Sequence, residues 1–74
     1  LRVVLLNSPG SLGQLSNTVA RDEGNITNLR IISRSADFFE ILIDVEVRDV
    51  RHLQNIMAAL RADTAISDVS RTRA

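Results

Sequence analysis

Residues 5–16 read LLNSPGSLGQLS. They close the apolar run Val3, Val4, Leu5 and Leu6, pass a Pro-Gly pair, and at once begin to space Leu12 and Leu15 as a helix does. A strand therefore hands over to a helix here. The handover carries Asn7, Ser8, Pro9, Gly10 and Gly13, more specialised residues than a plain connector needs.

Working outward, residues 2–6 (RVVLL) are apolar on both alternating sets, as in a central strand. From Ser11 to about Glu23, the residues Leu12, Leu15, Val19 and Ala20 fall on one helical face. Acidic Asp22 and Glu23 are unfavourable in a last turn, so Gly24 is expected to stop the helix. Residues 25–34 (NITNLRIISR) alternate, with Leu29 and Ile31 on one face and Arg30, Ile32 and Arg34 on the other. Residues 38–48 (FFEILIDVEVR) alternate more clearly: Phe39, Ile41, Ile43, Val45 and Val47 oppose Phe38, Glu40, Leu42, Asp44 and Glu46.

These two strands form a hairpin around Ser35, Ala36 and Asp37. A two-residue loop would pair Arg30 with Ile41 and bury the charge. A three-residue loop sets Ile31 opposite Ile41 and leaves Arg30 and Arg34 beside Glu40 and Asp44, so three is expected. Asp49 then reads as the N-cap of a second helix bearing Val50, Leu53, Ile56, Met57 and Leu60 and ending near Ala62. Residues 64–72 (TAISDVSRT) read as a short last strand. The order β-α-β-β-α-β predicts an α+β, ferredoxin-like domain: a four-stranded antiparallel sheet with two helices on one face.

A chain of 74 residues makes one domain at most, expected to span residues 1–74. At this size about 60% of the unfolded surface is buried, and a single core rarely supplies more than ~3–5 kcal/mol without disulfides, a metal or a partner chain. With no cysteine and one histidine, His52, disulfide staples and a structural zinc site are excluded. A partner surface remains. The 45% hydrophobic and 24% charged content is that of a soluble globular domain. The longest apolar run, about five residues, is far short of the ~20 that cross a bilayer, so no membrane association is expected and the location is expected to be cytoplasmic. Nine Arg balance nine acidic residues, and no overall field draws in nucleic acid. The chain begins at Leu1 directly in strand-like sequence and is expected to be a piece of a longer protein.

No catalytic residue is assigned. Glu40, Asp44 and Glu46 share a strand face, but a solvated face matched by Arg30 and Arg34 accounts for them, and His52 has no nucleophile placed near it. Gly10 and Gly13 are spaced G-x-x-G, which is neither dinucleotide-binding nor P-loop spacing, and the chain has no Lys. The aromatic platform of an RNA-binding sheet is missing, since the open face offers only Phe38 beside carboxylates. No metal and no cofactor is expected.

The opening stretch has more to offer. A helix starting near Ser11 exposes N–H groups at Ser11, Leu12 and Gly13, where an anion such as a carboxylate is favoured. Pro9 fixes one backbone angle, Gly10 lets a ligand approach, and Asn7 offers an amide. Asn25 opens the next strand after Gly24, and Leu12, Leu15 and Ile26 supply apolar surface. An amino-acid ligand requires that inventory. A tight, unliganded strand-to-helix turn uses the same residues, and both readings stand on chemistry alone.

The pattern LLNSPGSLGQLSNTVARDEGNI, an apolar strand, N-x-P-G, L-x-x-L and then G-N-I, resembles the small regulatory fold called the ACT domain across essentially the whole chain. The later FFEILIDVEVRDVRHLQNIMAALR is similar to the C-terminal ACT domain of RelA/SpoT-type (p)ppGpp synthetase/hydrolases of the stringent response. The resemblance implies a non-catalytic domain that forms a homodimer through the second strand and first helix and binds an amino-acid effector in the seam. On that template Asn7, Ser8, Pro9, Gly10, Ser11 and Leu12 are the ligand loop of one copy, and Asn25 and Ile26 belong to the other. Where serine-sensing relatives carry a His two residues before the loop Asn, this chain has Leu5, which favours a branched-chain effector, valine or isoleucine. The parent's catalytic domains are further implied partners. The rival reading is a docking module without a small-molecule ligand, which contacts the ribosome or parent domains through Ile32, Phe38 and Leu42.

Overall fold

The computed structural model describes residues 1–72 and contains β1 (Arg2–Leu6), α1 (Ser11–Arg21), β2 (Asn25–Arg34), β3 (Phe38–Glu46), α2 (Val50–Ala62) and β4 (Ile66–Ser70). Arg73 and Ala74, the end of the expected domain 1–74, lie outside the described residues. The sheet order is β2-β3-β1-β4 with every neighbouring pair antiparallel, which is the ferredoxin-like architecture expected from the element order. The last strand is shorter than its β-like sequence, ending at Ser70. Among the described residues no helix is long and apolar enough to cross a membrane.

Alternation decides the core. Val3 and Leu5 of β1, Phe39, Ile41 and Ile43 of β3, and Ile66 and Val69 of β4 face the helices and are buried against Leu15, Val19, Ile56, Met57 and Leu60. Among the described residues every buried side-chain nitrogen and oxygen has a hydrogen-bond partner, so the unit closes its own core. Two residues expected on the buried stripe of α1 are exposed: Leu12 is turned toward β2 and Ala20 toward solvent. Buried Ser11 takes the place in the first turn that the pattern gave to Leu12.

α1 ends differently from the reading of its sequence. Glu23 holds the left-handed conformation at φ +63°, while its N–H bonds Ala20 and the Gly24 N–H bonds Val19, both at 2.9 Å. That pair of bonds is the Schellman stop, so Glu23, and not Gly24, supplies the reversal. Gly24 is glycine because of crowding: a Cβ there would lie 2.7 Å from Ile56 and 2.8 Å from Val19.

The β2–β3 hairpin pairs Ile31 with Ile41 as expected, but only between two irregularities. One shift in register leaves Thr27 unpaired, and a second leaves Ile32 unpaired. Past the second, Ser33 opposes Glu40 and Arg34 opposes Phe39, and Ser35 and Phe38 close a tighter turn through the Ser35 N–H and the Phe38 carbonyl at 2.7 Å. Arg34 therefore leaves the face of Glu40 and Asp44 on which alternation had placed it. Glu40 is paired instead by Arg2, which lies diagonal to it across β1 on the open face.

Candidate functional site

α1 begins without a side-chain cap. Gly10 occupies the N-cap position at φ +86°, a left-handed conformation that glycine adopts freely, and no side chain accepts from the first turn. The Gln14 N–H returns to the Gly10 carbonyl at 2.9 Å, and the Ser11 N–H meets the Ser8 carbonyl at 3.3 Å. The expected trio of free donors is thus reduced to Leu12 and Gly13, because the turn at Gly10 folds Ser8 back onto Ser11. The Ser8 and Ser11 hydroxyls bond each other at 3.0 Å. No acidic residue stands in this turn, so the positive end of the helix is uncompensated.

Asn7 anchors the loop to the hairpin turn. Its N–H donates to the Asp37 carbonyl at 2.9 Å and its Nδ2 to the Ser35 carbonyl at 2.7 Å. The side-chain amide is thereby oriented with Oδ1 as its remaining acceptor. Pro9 lies exposed at the crest between Ser8 and Gly10.

Between this loop, the first turn of α1 and the end of β2 opens a cavity of about 240 Å³. Asn7, Ser8, Gly10 and Gly13 form its polar side, and Leu12, Ile31 and Phe39 its apolar side. Leu12 and Ile31 are 37% and 47% exposed, unusual for large aliphatic residues facing each other across a gap. A Cβ on Gly13 would meet nothing within 4 Å. Packing within the chain therefore does not require glycine there, although it destabilises a helix by about 1 kcal/mol relative to alanine.

Arg34 also lines the cavity. Sequence reasoning missed it, since its periodicity assigns it to the opposite face and only the unpaired Ile32 reverses that. A larger hollow of about 410 Å³ lies between the helices, lined by polar and charged residues apart from Ala59 and Ala62.

Asn25 and Ile26 stand at the other end of β2, separated from Arg34 by the length of a ten-residue strand, roughly 30 Å at ~3.3 Å per residue. The Asn25 Nδ2 donates to the Glu46 carboxylate at 2.9 Å, and Ile26 packs half-buried against the core. One chain thus brings Asn7, Ser8, Pro9, Gly10, Ser11, Leu12 and Gly13 together and leaves Asn25 and Ile26 apart from them. β2 is an edge strand, and of its ten residues Ile26 is half-buried and the others are exposed.

His52 is buried in the second helix. Its Nδ1 accepts from the Arg48 N–H at 3.0 Å, so the proton sits on Nε2, which donates to the Asp22 carbonyl. Both nitrogens are thus occupied in joining the start of α2 to the end of α1, a structural assignment.

An α+β domain with ferredoxin-like topology, an open helix start and an unpaired edge strand is what these elements define. The chain belongs to the ACT domain family, whose model matches residues 1–71. It is 38% identical over 71 residues to the GTP pyrophosphokinases rsh of Brucella ovis and of Brucella melitensis, which covers 96% of this chain and 10% of each relative. The chain thus spans about a tenth of the length of these curated relatives. Among solved structures it is similar in fold to the ACT domain from the GTP pyrophosphokinase of Chlorobium tepidum, with a TM-score of 0.66 and 20% identity over 88% of this chain and 83% of that one.

Proposed function

We propose that the chain is the amino-acid-sensing and dimerisation domain of a cytoplasmic GTP pyrophosphokinase, coupling amino-acid supply to (p)ppGpp turnover by catalytic domains elsewhere in the parent. One observation carries the reading: an uncapped helix start with free Leu12 and Gly13 N–H groups faces exposed Leu12 and Ile31 beside an edge strand whose outer side is unpaired. An exposed edge of ten residues is a surface for pairing with another chain. If two copies pair antiparallel along β2, Asn25 and Ile26 of one copy arrive at the Asn7 loop of the other. The effector, valine or isoleucine, then places its carboxylate on the Leu12 and Gly13 amides, its ammonium on the Asn7 side-chain oxygen and, once the Asn25 side chain leaves Glu46 on the open face, on the Asn25 oxygen, and its side chain against Leu12 and Ile31. A ligand held in a two-copy seam shifts the parent's equilibrium by its differential affinity for the two arrangements.

The second reading, docking on the ribosome or on parent domains, draws on the open sheet face, where Leu6 and Phe38 oppose each other at 39% and 41% exposure. Calorimetric titration with the twenty amino acids, alongside sedimentation, separates the two. The sensing reading expects a dimer that binds valine or isoleucine between about micromolar and millimolar, roughly −8 to −4 kcal/mol. It also expects about ten- to hundredfold weaker binding in Asn25→Ala, the range for a lost hydrogen bond to a charged group, with dimerisation retained. Silence across all twenty, or unchanged affinity in Asn25→Ala, removes the proposed seam, and silence favours docking.

A further inference from the structure

We propose that Arg34 is a specificity-determining residue of this site: it reads the effector's carboxylate from the β2 side and makes the site selective for branched aliphatic carboxylates. The proposal rests on the reading of the cavity as an effector site and adds to it the charge that selects the ligand.

The argument starts from the irregularity in β2. With unbroken alternation Arg34 would share a face with Arg30 and Ile32, near Glu40, and would be paired there. The register shift between Ile31 and Ser33 leaves Ile32 without a partner and sets Arg34 opposite Phe39, on the helix side of the sheet. Bulges commonly re-aim a side chain in this way at functional sites.

The destination matters more than the departure. Arg34 is the one ionised side chain lining the 240 Å³ cavity, and among the described residues it makes no ion pair. The carboxylate that Asn25 engages, Glu46, lies on the open face of the sheet. The cavity side therefore combines a guanidinium, the Leu12 and Gly13 N–H groups, and the apolar Leu12, Ile31 and Phe39. A guanidinium offers a planar pair of donors matched to a carboxylate. Arg34 and the helix start approach the cavity from different elements, so a carboxylate between them is held from two sides. The ammonium, by contrast, meets only neutral amide oxygens on this side. The carboxylate thus meets a charged donor as well as neutral ones, and the 2-oxo acid of matching skeleton keeps its carboxylate and aliphatic contacts.

The test is calorimetric titration of the chain with L-valine, L-valinamide and 3-methyl-2-oxobutanoate, for wild type, Arg34→Gln, Arg34→Lys and Asn7→Ala. Wild type is expected to bind the 2-oxo acid, which lacks the ammonium, about ten- to hundredfold more weakly than valine, and valinamide, whose carboxylate is neutralised, at least about tenfold more weakly than valine. Arg34→Gln is expected to weaken valine and the 2-oxo acid about tenfold or more while leaving valinamide unchanged, and Arg34→Lys should fall between, keeping the charge but losing the fork. Arg34 is exposed, so both variants should retain the wild-type thermal midpoint, which separates a binding effect from unfolding. Unchanged valine affinity in Arg34→Gln, with Asn7→Ala still weakening it, overturns the role of Arg34 and leaves the effector site standing. Valinamide binding as tightly as valine also overturns it. Absence of binding by any of the three ligands to wild type overturns the site and the proposal together.

Discussion

Each half of the chain passes from a strand into a helix, and the two helix starts are finished in opposite ways. At α2, Asp49 is extended, its carboxylate accepts from the His52 N–H at 2.8 Å, and the His52 ring takes up the Arg48 N–H behind it. At α1, Gly10 turns left-handed, no side chain accepts from the first turn, and a glycine stands at the third helical position. The same job of satisfying the first N–H groups of a helix is done from within the chain in one half and left to an outside acceptor in the other. Burial runs parallel to this: the start of α2 rests on a buried imidazole, whereas the start of α1 opens beside exposed Leu12 and Ile31.

The largest effect is expected from removing the imidazole. His52→Ala leaves the Arg48 N–H and the Asp22 carbonyl without their partner and opens a void between the helices, destabilising the chain by about 2–4 kcal/mol. That is comparable to the ~3–5 kcal/mol a core of this size supplies. Urea unfolding should therefore show a variant unfolded in large part, and a midpoint like that of wild type would break the contrast at its closed end. Asp49→Ala should cost about 1 kcal/mol, the usual value of an N-cap, read as a lower thermal midpoint with the fold retained.

The open end responds in the reverse sense. Gly13→Ala fills empty space on a helix and should raise stability by up to ~1 kcal/mol, while its methyl group at the cavity wall weakens valine binding. A stabilised variant with wild-type affinity would mean that nothing approaches Gly13 closely, and would reduce the contrast to a difference in capping alone.

Most of the architecture was legible in residues 1–72 because each element carries its own period. Phe39, Ile41, Ile43 and Val45 on β3 announce one face at a spacing of two, and Leu53, Ile56, Met57 and Leu60 announce the buried stripe of α2. The Asp49 cap was legible for the same reason, since it depends on residues within one turn. The Asn7 loop could be singled out because a Pro-Gly pair and an amide at a helix start are local signals.

What escaped the sequence is what depends on a neighbouring element. Nothing in NITNLRIISR says that Thr27 and Ile32 drop out of register, since bulges arise when a long edge strand accommodates the twist and closing turn of its partner. With Ile32 counted as paired, Arg34 falls on the wrong face. Gly24 reads as a helix stop until Val19 and Ile56 are seen within 3 Å of where its Cβ would be, and the left-handed residue proves to be Glu23. Leu12 reads as core by its spacing and is left exposed because the sheet beneath it is at its edge. The sequence by itself determined the order of elements, their buried faces and the loop that opens the first helix, because periodicity and capping act over a few residues. Only the tertiary structure decided which side of β2 carries Arg34, which glycine is forced by packing and which N–H groups stay free, because each depends on contacts between segments far apart in the chain.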